Sequence, residues 1–127
     1  LEGTKEVKTI KNERIIPTDI DGTLIIHNPG PGIPRVGVVD PSTGHTVAMG
    51  INQAMVKLVR EEKFRGAFVI AWSRGGYAWA KNVINALHLE NHVDLVMTKP
   101  MAYFDDIPVE KWLETRVFLD ENTVYKR

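Results

Sequence analysis

The chain has 127 residues, 43% hydrophobic and 25% charged, which suits one globular domain over residues 1–127 and excludes a disordered or repeat-built chain. Sixteen Lys and Arg residues offset sixteen Asp and Glu residues, so no net field draws the molecule to a polyanion or an anionic membrane, and nucleic acid enters only as a local substrate. The absence of cysteine excludes disulfides, thiolate metal sites and thiol catalysis, and no apolar run approaches the roughly 18 to 20 residues of a membrane span.

The N-terminal residues lack the apolar core of a signal peptide, so the expected compartment is the cytoplasm; the chain begins with Leu1 and not Met, and its first few residues are assigned no function. Ile15 and Ile16 then lead into Thr18-Asp19-Ile20-Asp21-Gly22-Thr23, which reads as a buried strand running into a glycine-relieved turn. The prolines and glycines between His27 and Pro34 predict a loop, since they remove donors and loosen the backbone. Arg35 to Val39 and His45 to Met49 flank the turn-rich Asp40-Pro41-Ser42-Thr43-Gly44, predicting a hairpin that forms a small flap beside the first strand's exit.

Ile51, Ala54, Met55, Leu58 and Val59 recur at helical spacing, with charged residues of both signs between them, so an amphipathic helix with a solvated face follows. The apolar run from Ala67 to Trp72 ends at Ser73 and predicts a strand buried on both faces. After Gly75-Gly76 a second helix is expected to carry Tyr77, Ala80, Val83, Ile84 and Leu87, and Val93 to Met97 returns as an extended segment. Ala102-Tyr103-Phe104 is a further apolar run ending at Asp105-Asp106, and Pro108 opens a short helix with Val109, Trp112 and Leu113. This alternation predicts an α/β fold, a mainly parallel sheet with helices on both faces whose ligands bind beyond the strands' carboxyl ends.

The polar tips of the apolar runs gather at that end: Asp19 and Asp21, Ser73, and Asp105 with Asp106, with Lys99 just before the last run. Several carboxylates in one crevice repel each other unless a cation lies among them, and an oxygen-rich donor set suits Mg2+ better than zinc. Magnesium takes one or two carboxylates, keeps waters and completes its octahedron with substrate phosphate, so phosphoryl transfer is the reaction this set suits. A serine hydroxyl and a lysine ammonium would then hold phosphoryl oxygens and neutralise developing charge.

Asp19-Ile20-Asp21-Gly22-Thr23 after an apolar strand resembles the first signature of the haloacid dehalogenase superfamily, and Ser73, Lys99 and Asp105-Asp106 follow in that family's order. The resemblance covers residues 15–106 and implies a three-layer, Rossmann-like fold and a phosphatase acting on phosphomonoesters. It implies that Asp19 attacks phosphorus to form an aspartyl-phosphate and that Asp21 serves as general acid and then general base. It further implies that Asp19, the carbonyl of Asp21 and Asp105 bind Mg2+, with Asp106 in support. Gly22, Thr23, Ser73 and Arg74 would meet the substrate, and Lys99 would screen Asp19.

The chain departs from the family's common pattern in two places. Only residues 100–104 separate Lys99 from the acidic pair, too few for a parallel crossover, so Lys99 is expected on a loop. There is also no room for a cap domain, which predicts an open site. Short capless relatives, including hypothetical proteins of phage type, are similar in this compression.

An open site admits a small phosphomonoester or an exposed phosphate on a macromolecule, and a nucleotide or nucleic-acid-end phosphatase is the alternative enzyme. Trp79 is read as helix packing ahead of base stacking. A receiver-like or other binding module is the non-enzymatic alternative, but a receiver carries its acidic pair early and its acceptor aspartate later, the reverse of the order here. His27, His45, His88 and His92 have no metal-ligand spacing and are read as surface or structural residues. Oligomeric state is left open by the sequence.

Overall fold

A computed structural model describes residues 14–113 of the protein; residues 1–12, to which no function was assigned, lie outside them. In chain order the elements are β1 (Ile15–Asp19), β2 (Ile25–Ile26), β3 (Arg35–Val39), β4 (Thr46–Ile51), α1 (Gln53–Phe64), β5 (Phe68–Ser73), α2 (Tyr77–Ala86), β6 (Leu95–Thr98) and a 3-10 turn, Val109–Lys111. Two sheets result. β1, β5 and β6 form a parallel sheet in the order β1-β5-β6, and β2, β4 and β3 form an antiparallel one in the order β2-β4-β3. The α/β expectation holds at this level.

Both parallel connections step the same way across the sheet, and right-handed crossovers then bring α1 and α2 to the same face. The burial pattern agrees. Val69 and Ala71 of β5 share one core with Met55, Val56 and Val59 of α1 and Ala80, Val83 and Ile84 of α2, and Ile16 and Val96 pack against it. Phe68, Ile70 and Trp72, on the other side of the same strand, are only half-buried. Three expectations are therefore corrected among the described residues: β1, at the edge of the parallel sheet, is not a buried strand, with only Thr18 of its five residues buried; β5 is not buried on both faces; and the two helices do not flank the sheet. The run Ala67 to Trp72 is apolar on both sides, so its composition could not tell a covered face from a half-open one.

Asn52 opens α1, its Oδ1 accepting from the Met55 N–H at 3.4 Å. The predicted hairpin is present as β3 and β4, but it is not a free flap. It is built into the core through Val38 and Met49, packs on α2, and accepts a hydrogen bond from Asn82 Nδ2 at the Val39 carbonyl (2.8 Å). The proline-rich loop before it is tied down by Arg35, which donates to the carbonyls of Pro29 (2.9 Å) and Ile33 (3.1 Å). Gly50 permits that packing, because a Cβ there would lie 2.7 Å from Pro29 Cβ.

The segment after β6 departs further from expectation. Residues 101–108 form no helix or strand and are exposed, Phe104 completely so. Among the described residues the apolar run Ala102-Tyr103-Phe104 pairs with no strand. Pro108 does precede a helical turn, a single 3-10 one.

Candidate active site

The carboxyl end of the parallel sheet is where the sequence-derived residues meet. β1 ends at Asp19, and the Ile20 N–H continues the pairing by donating to the Trp72 carbonyl at 3.0 Å. The chain then folds back in one tight turn: the Ile20 carbonyl accepts from the N–H groups of Thr23, Leu24 and Ile25 at 3.3, 3.0 and 3.2 Å. Gly22 takes a φ of 80° in that turn, a conformation that costs glycine little and side-chain-bearing residues more. Ile20 and Leu24 are buried beneath, so Asp19 and Asp21, on either side of Ile20, are held at the surface of the core.

Asp19 faces Lys99. Its Oδ1 lies 3.6 Å from Lys99 Nζ, and the Lys99 backbone N–H donates to the Ser73 carbonyl at 2.9 Å, which fixes the start of the loop after β6. Burial pushes the Asp19 carboxyl above its ordinary range; Lys99 opposes the shift and the charge of Asp21 adds to it.

Asp21 is surrounded by donors. Ser73 Oγ donates to its Oδ2 at 2.6 Å, and Trp79 Nε1 donates to Oδ1 at 2.9 Å. His27 Nε2 lies 2.9 Å from the same Oδ1, and an ionised Asp21 requires the proton of that contact to reside on the imidazole. Burial would raise the Asp21 carboxyl, but the hydrogen bonds from Ser73, His27 and Trp79 together outweigh it and hold the group below the usual carboxylate range. Ser73 is itself pinned, its Oγ accepting from the Gly75 N–H at 2.9 Å. At Gly75 an added Cβ would stand 3.2 Å from both Ser73 Oγ and Trp79 Cδ1, so glycine is what lets the indole approach.

Asp19, Asp21, Ser73 and Lys99 are thus brought to one end of the sheet, with Gly22 and Thr23 in the turn between strands and Arg74 exposed just past β5. The hydroxyl of Ser73, on a residue with 0% exposure, is turned to Asp21. Asp105 and Asp106 stand exposed on the segment after β6, and Asp105 Oδ1 accepts from the Ile107 N–H at 3.0 Å, a local turn. Among the described residues no three His, Asp or Glu side chains are grouped so as to hold a metal ion. The four-carboxylate set expected to bind Mg2+, Asp19 and Asp21 with Asp105 and Asp106, is therefore not assembled among the described residues.

Two residues of the site were missed from sequence. Helix packing is the expectation for Trp79; its ring does pack on the core, and its N–H also reaches Asp21. A signal existed, because long side chains on a helix lean towards its N-terminus, and Trp79 lies in the first turn of a helix that starts just past Ser73. His27 carries no periodic signal. It stands beside Asp21 because the turn from Ile20 to Ile25 folds the chain back, with Ile25 bridged to Asp21 two residues before His27.

Tyr77, half-exposed at the start of α2, donates its backbone N–H to Thr98 Oγ1 at 3.0 Å, which ties the helix start to the end of β6. Comparison of the chain with protein-family models, with curated proteins and with solved structures finds no match.

Proposed function

We propose that the protein is a phosphohydrolase that transfers the phosphoryl group of a phosphomonoester to Asp19 and then to water. The observation that carries this reading is the pairing of Asp19 with Lys99 at 3.6 Å, two residues from an Asp21 carboxyl held by three side chains. Two carboxylates differing in environment, with a cation beside one of them, are the parts that nucleophilic attack and proton transfer need.

In the first step an Asp19 oxygen forms a bond to phosphorus as the ester P–O bond breaks, and Asp21 gives a proton to the departing oxygen. In the second, Asp21 takes a proton from water as that water attacks the acyl phosphate, releasing inorganic phosphate and restoring the Asp19 carboxylate. Lys99 offsets the charge gathering between Asp19 and the phosphoryl oxygens. The entering phosphate repels a second negative charge beside it, which raises the Asp21 carboxyl and favours its holding a proton while substrate is bound. Ser73, engaged with Asp21, is assigned to orienting that carboxyl; Arg74, exposed just past β5, is left to meet phosphate.

This is the chemistry that the resemblance to the haloacid dehalogenase superfamily implies, and the finer fold assignment belongs to that resemblance too. Magnesium dependence is carried by the resemblance alone. A small phosphomonoester is favoured over a nucleic-acid end because Trp79, the obvious stacking ring, is committed to Asp21 and the core. A second reading, a phosphate-binding module without turnover, is favoured by one observation: the acidic pair Asp105-Asp106 is not grouped with Asp19.

Phosphate release from an aryl phosphate by the wild type and by Asp19→Asn, each with magnesium and with chelator, tests the reading. Turnover in the wild type that disappears in Asp19→Asn supports it. Phosphate binding without turnover in either protein would favour the binding module.

A further inference from the structure

Three side chains from separate parts of the chain converge on the one carboxyl of Asp21: His27 from the segment after β2, Ser73 from the end of β5 and Trp79 from α2. Such convergence is costly to build. Each donor gives up water, and each side chain loses rotamer freedom to point at a single group. Turn formation does not require it, since the turn from Ile20 to Ile25 closes by backbone hydrogen bonds alone. Helix α2 does not require it either, because its buried residues Ala80, Val83 and Ile84 hold it on the sheet.

The donors are also unequal. Ser73 is fully buried and braced by the Gly75 N–H, and the Trp79 ring is wedged between the core and Gly75. The His27 side chain is 41% exposed, on the solvent side of the carboxyl. Both His27 and Trp79 use Oδ1, so that oxygen is oriented from within by the indole and from without by the imidazole.

We propose that His27 and Trp79 are positioning residues that fix the orientation of the Asp21 carboxyl for proton transfer to the leaving group, Trp79 as the inner brace and His27 as the outer one. The inference rests on the phosphohydrolase reading and extends it to two residues that the sequence motifs do not mark. A carboxyl free to rotate still exchanges protons, but it spends less time aligned with the ester oxygen, and misalignment of a reacting group slows the chemical step more than it weakens binding. The loss should depend on the substrate. An alkyl phosphate expels a strongly basic oxygen and needs the proton, whereas a nitrophenyl phosphate expels a stable phenolate and needs it little.

The experiment compares kcat and KM for a simple alkyl phosphate and for nitrophenyl phosphate in the wild type, Trp79→Phe, His27→Ala and His27→Gln. Trp79→Phe and His27→Ala are expected to lower kcat/KM for the alkyl phosphate by about tenfold and to change kcat/KM for nitrophenyl phosphate by less than about twofold, because kcat/KM reports the steps through transfer to Asp19 and not the later attack of water, in which Asp21 serves both substrates alike. His27→Gln, which restores an N–H donor of similar reach, is expected to recover most of the loss. Equal losses of kcat/KM on both substrates, or no loss of it on the alkyl phosphate, would overturn the positioning role while leaving the phosphohydrolase reading standing.

A wild type inactive on both substrates would overturn the reading and the inference together. A second measurement checks the brace without turnover. The Trp79 indole N–H resonance should move when Asp21 is replaced by Ala, and a resonance that stays in place would overturn the brace. His27 lies on a partly exposed loop, so its variants keep the test open if Trp79→Phe folds poorly.

Discussion

The two acidic clusters of this chain look alike in sequence and differ in structure. Asp21 follows a strand that is paired along its length, sits over buried Ile20 and Leu24, and receives donors from three elements. Asp105 and Asp106 follow an apolar run that pairs with no strand among the described residues, and Asp105 accepts from the Ile107 N–H in a local turn. The difference teaches that a carboxyl is positioned by the scaffold on which it stands. An aspartate at the end of a paired strand inherits the rigidity of the sheet, whereas one on an exposed segment has only its local turn.

The widest contrast should come from truncating an apolar side chain in the core and one on the segment after β6. Ile84→Ala, in the core face of α2, is expected to destabilise the fold by about 3 kcal/mol through cavity formation, while Phe104→Ala, at 100% exposure, should stay within about 0.5 kcal/mol. Denaturant midpoints measure both, and comparable losses would mean that the segment after β6 is packed after all.

Next in size is Ser73→Ala. It removes a donor to Asp21 and leaves the Gly75 N–H without its acceptor, which should cost about 2 kcal/mol, against a loss within about 0.5 kcal/mol for Asp105→Ala. Gly75→Ala should cost about 1 kcal/mol, because its Cβ would meet Ser73 Oγ and Trp79 Cδ1 at 3.2 Å and one of them must give way. A Gly75→Ala protein with unchanged stability and an unmoved Trp79 indole resonance would show that the brace has more room than these distances allow.

The smallest effects are those of pH. At Asp94 burial acts to raise the carboxyl, but the hydrogen bond from Lys63 (2.7 Å), the Val69 N–H (2.8 Å) and the charge of Lys63 together hold it below its ordinary range. A depressed carboxyl contributes stability that is present above its unfolded pKa, about 3.9, and is lost as pH falls through its lower folded value. Asp94→Asn should therefore flatten the acid limb of the stability curve below about pH 4. Asp19 has the opposite sign. Its raised carboxyl opposes folding once ionised, so Asp19→Asn should be no less stable than the wild type at neutral pH. A marked loss of stability in Asp19→Asn would show that the Lys99 contact outweighs the burial of the charge.

Much of the scaffold was legible in the sequence because it follows from periodicity. The spacing of Met55, Leu58 and Val59 marks α1, that of Ala80, Val83 and Ile84 marks α2, and the turn residues between Val39 and Thr46 mark the hairpin. The meeting of Asp19, Asp21, Ser73 and Lys99 was legible because each ends or closely follows an apolar run. What escaped depends on contacts between elements. His27 reaches Asp21 through the fold-back of the turn and a single bridge between Asp21 and Ile25, which leave no periodic mark. The half-open face of β5 and the unpaired run before Asp105 depend on which neighbours exist, which no local pattern records.

The central claim is that Asp19 is a nucleophile towards phosphorus, and the most direct test is to look for the covalent intermediate. Wild type and Asp19→Asn would be mixed with an aryl phosphate, with magnesium and with chelator, quenched in acid, and followed for phosphate release and for a phosphoryl group on the chain. The expected result is phosphate release with an acid-stable, hydroxylamine-labile adduct at Asp19 in the wild type and neither in the variant. Turnover retained in Asp19→Asn, or a phosphoryl group carried on another residue, would contradict it.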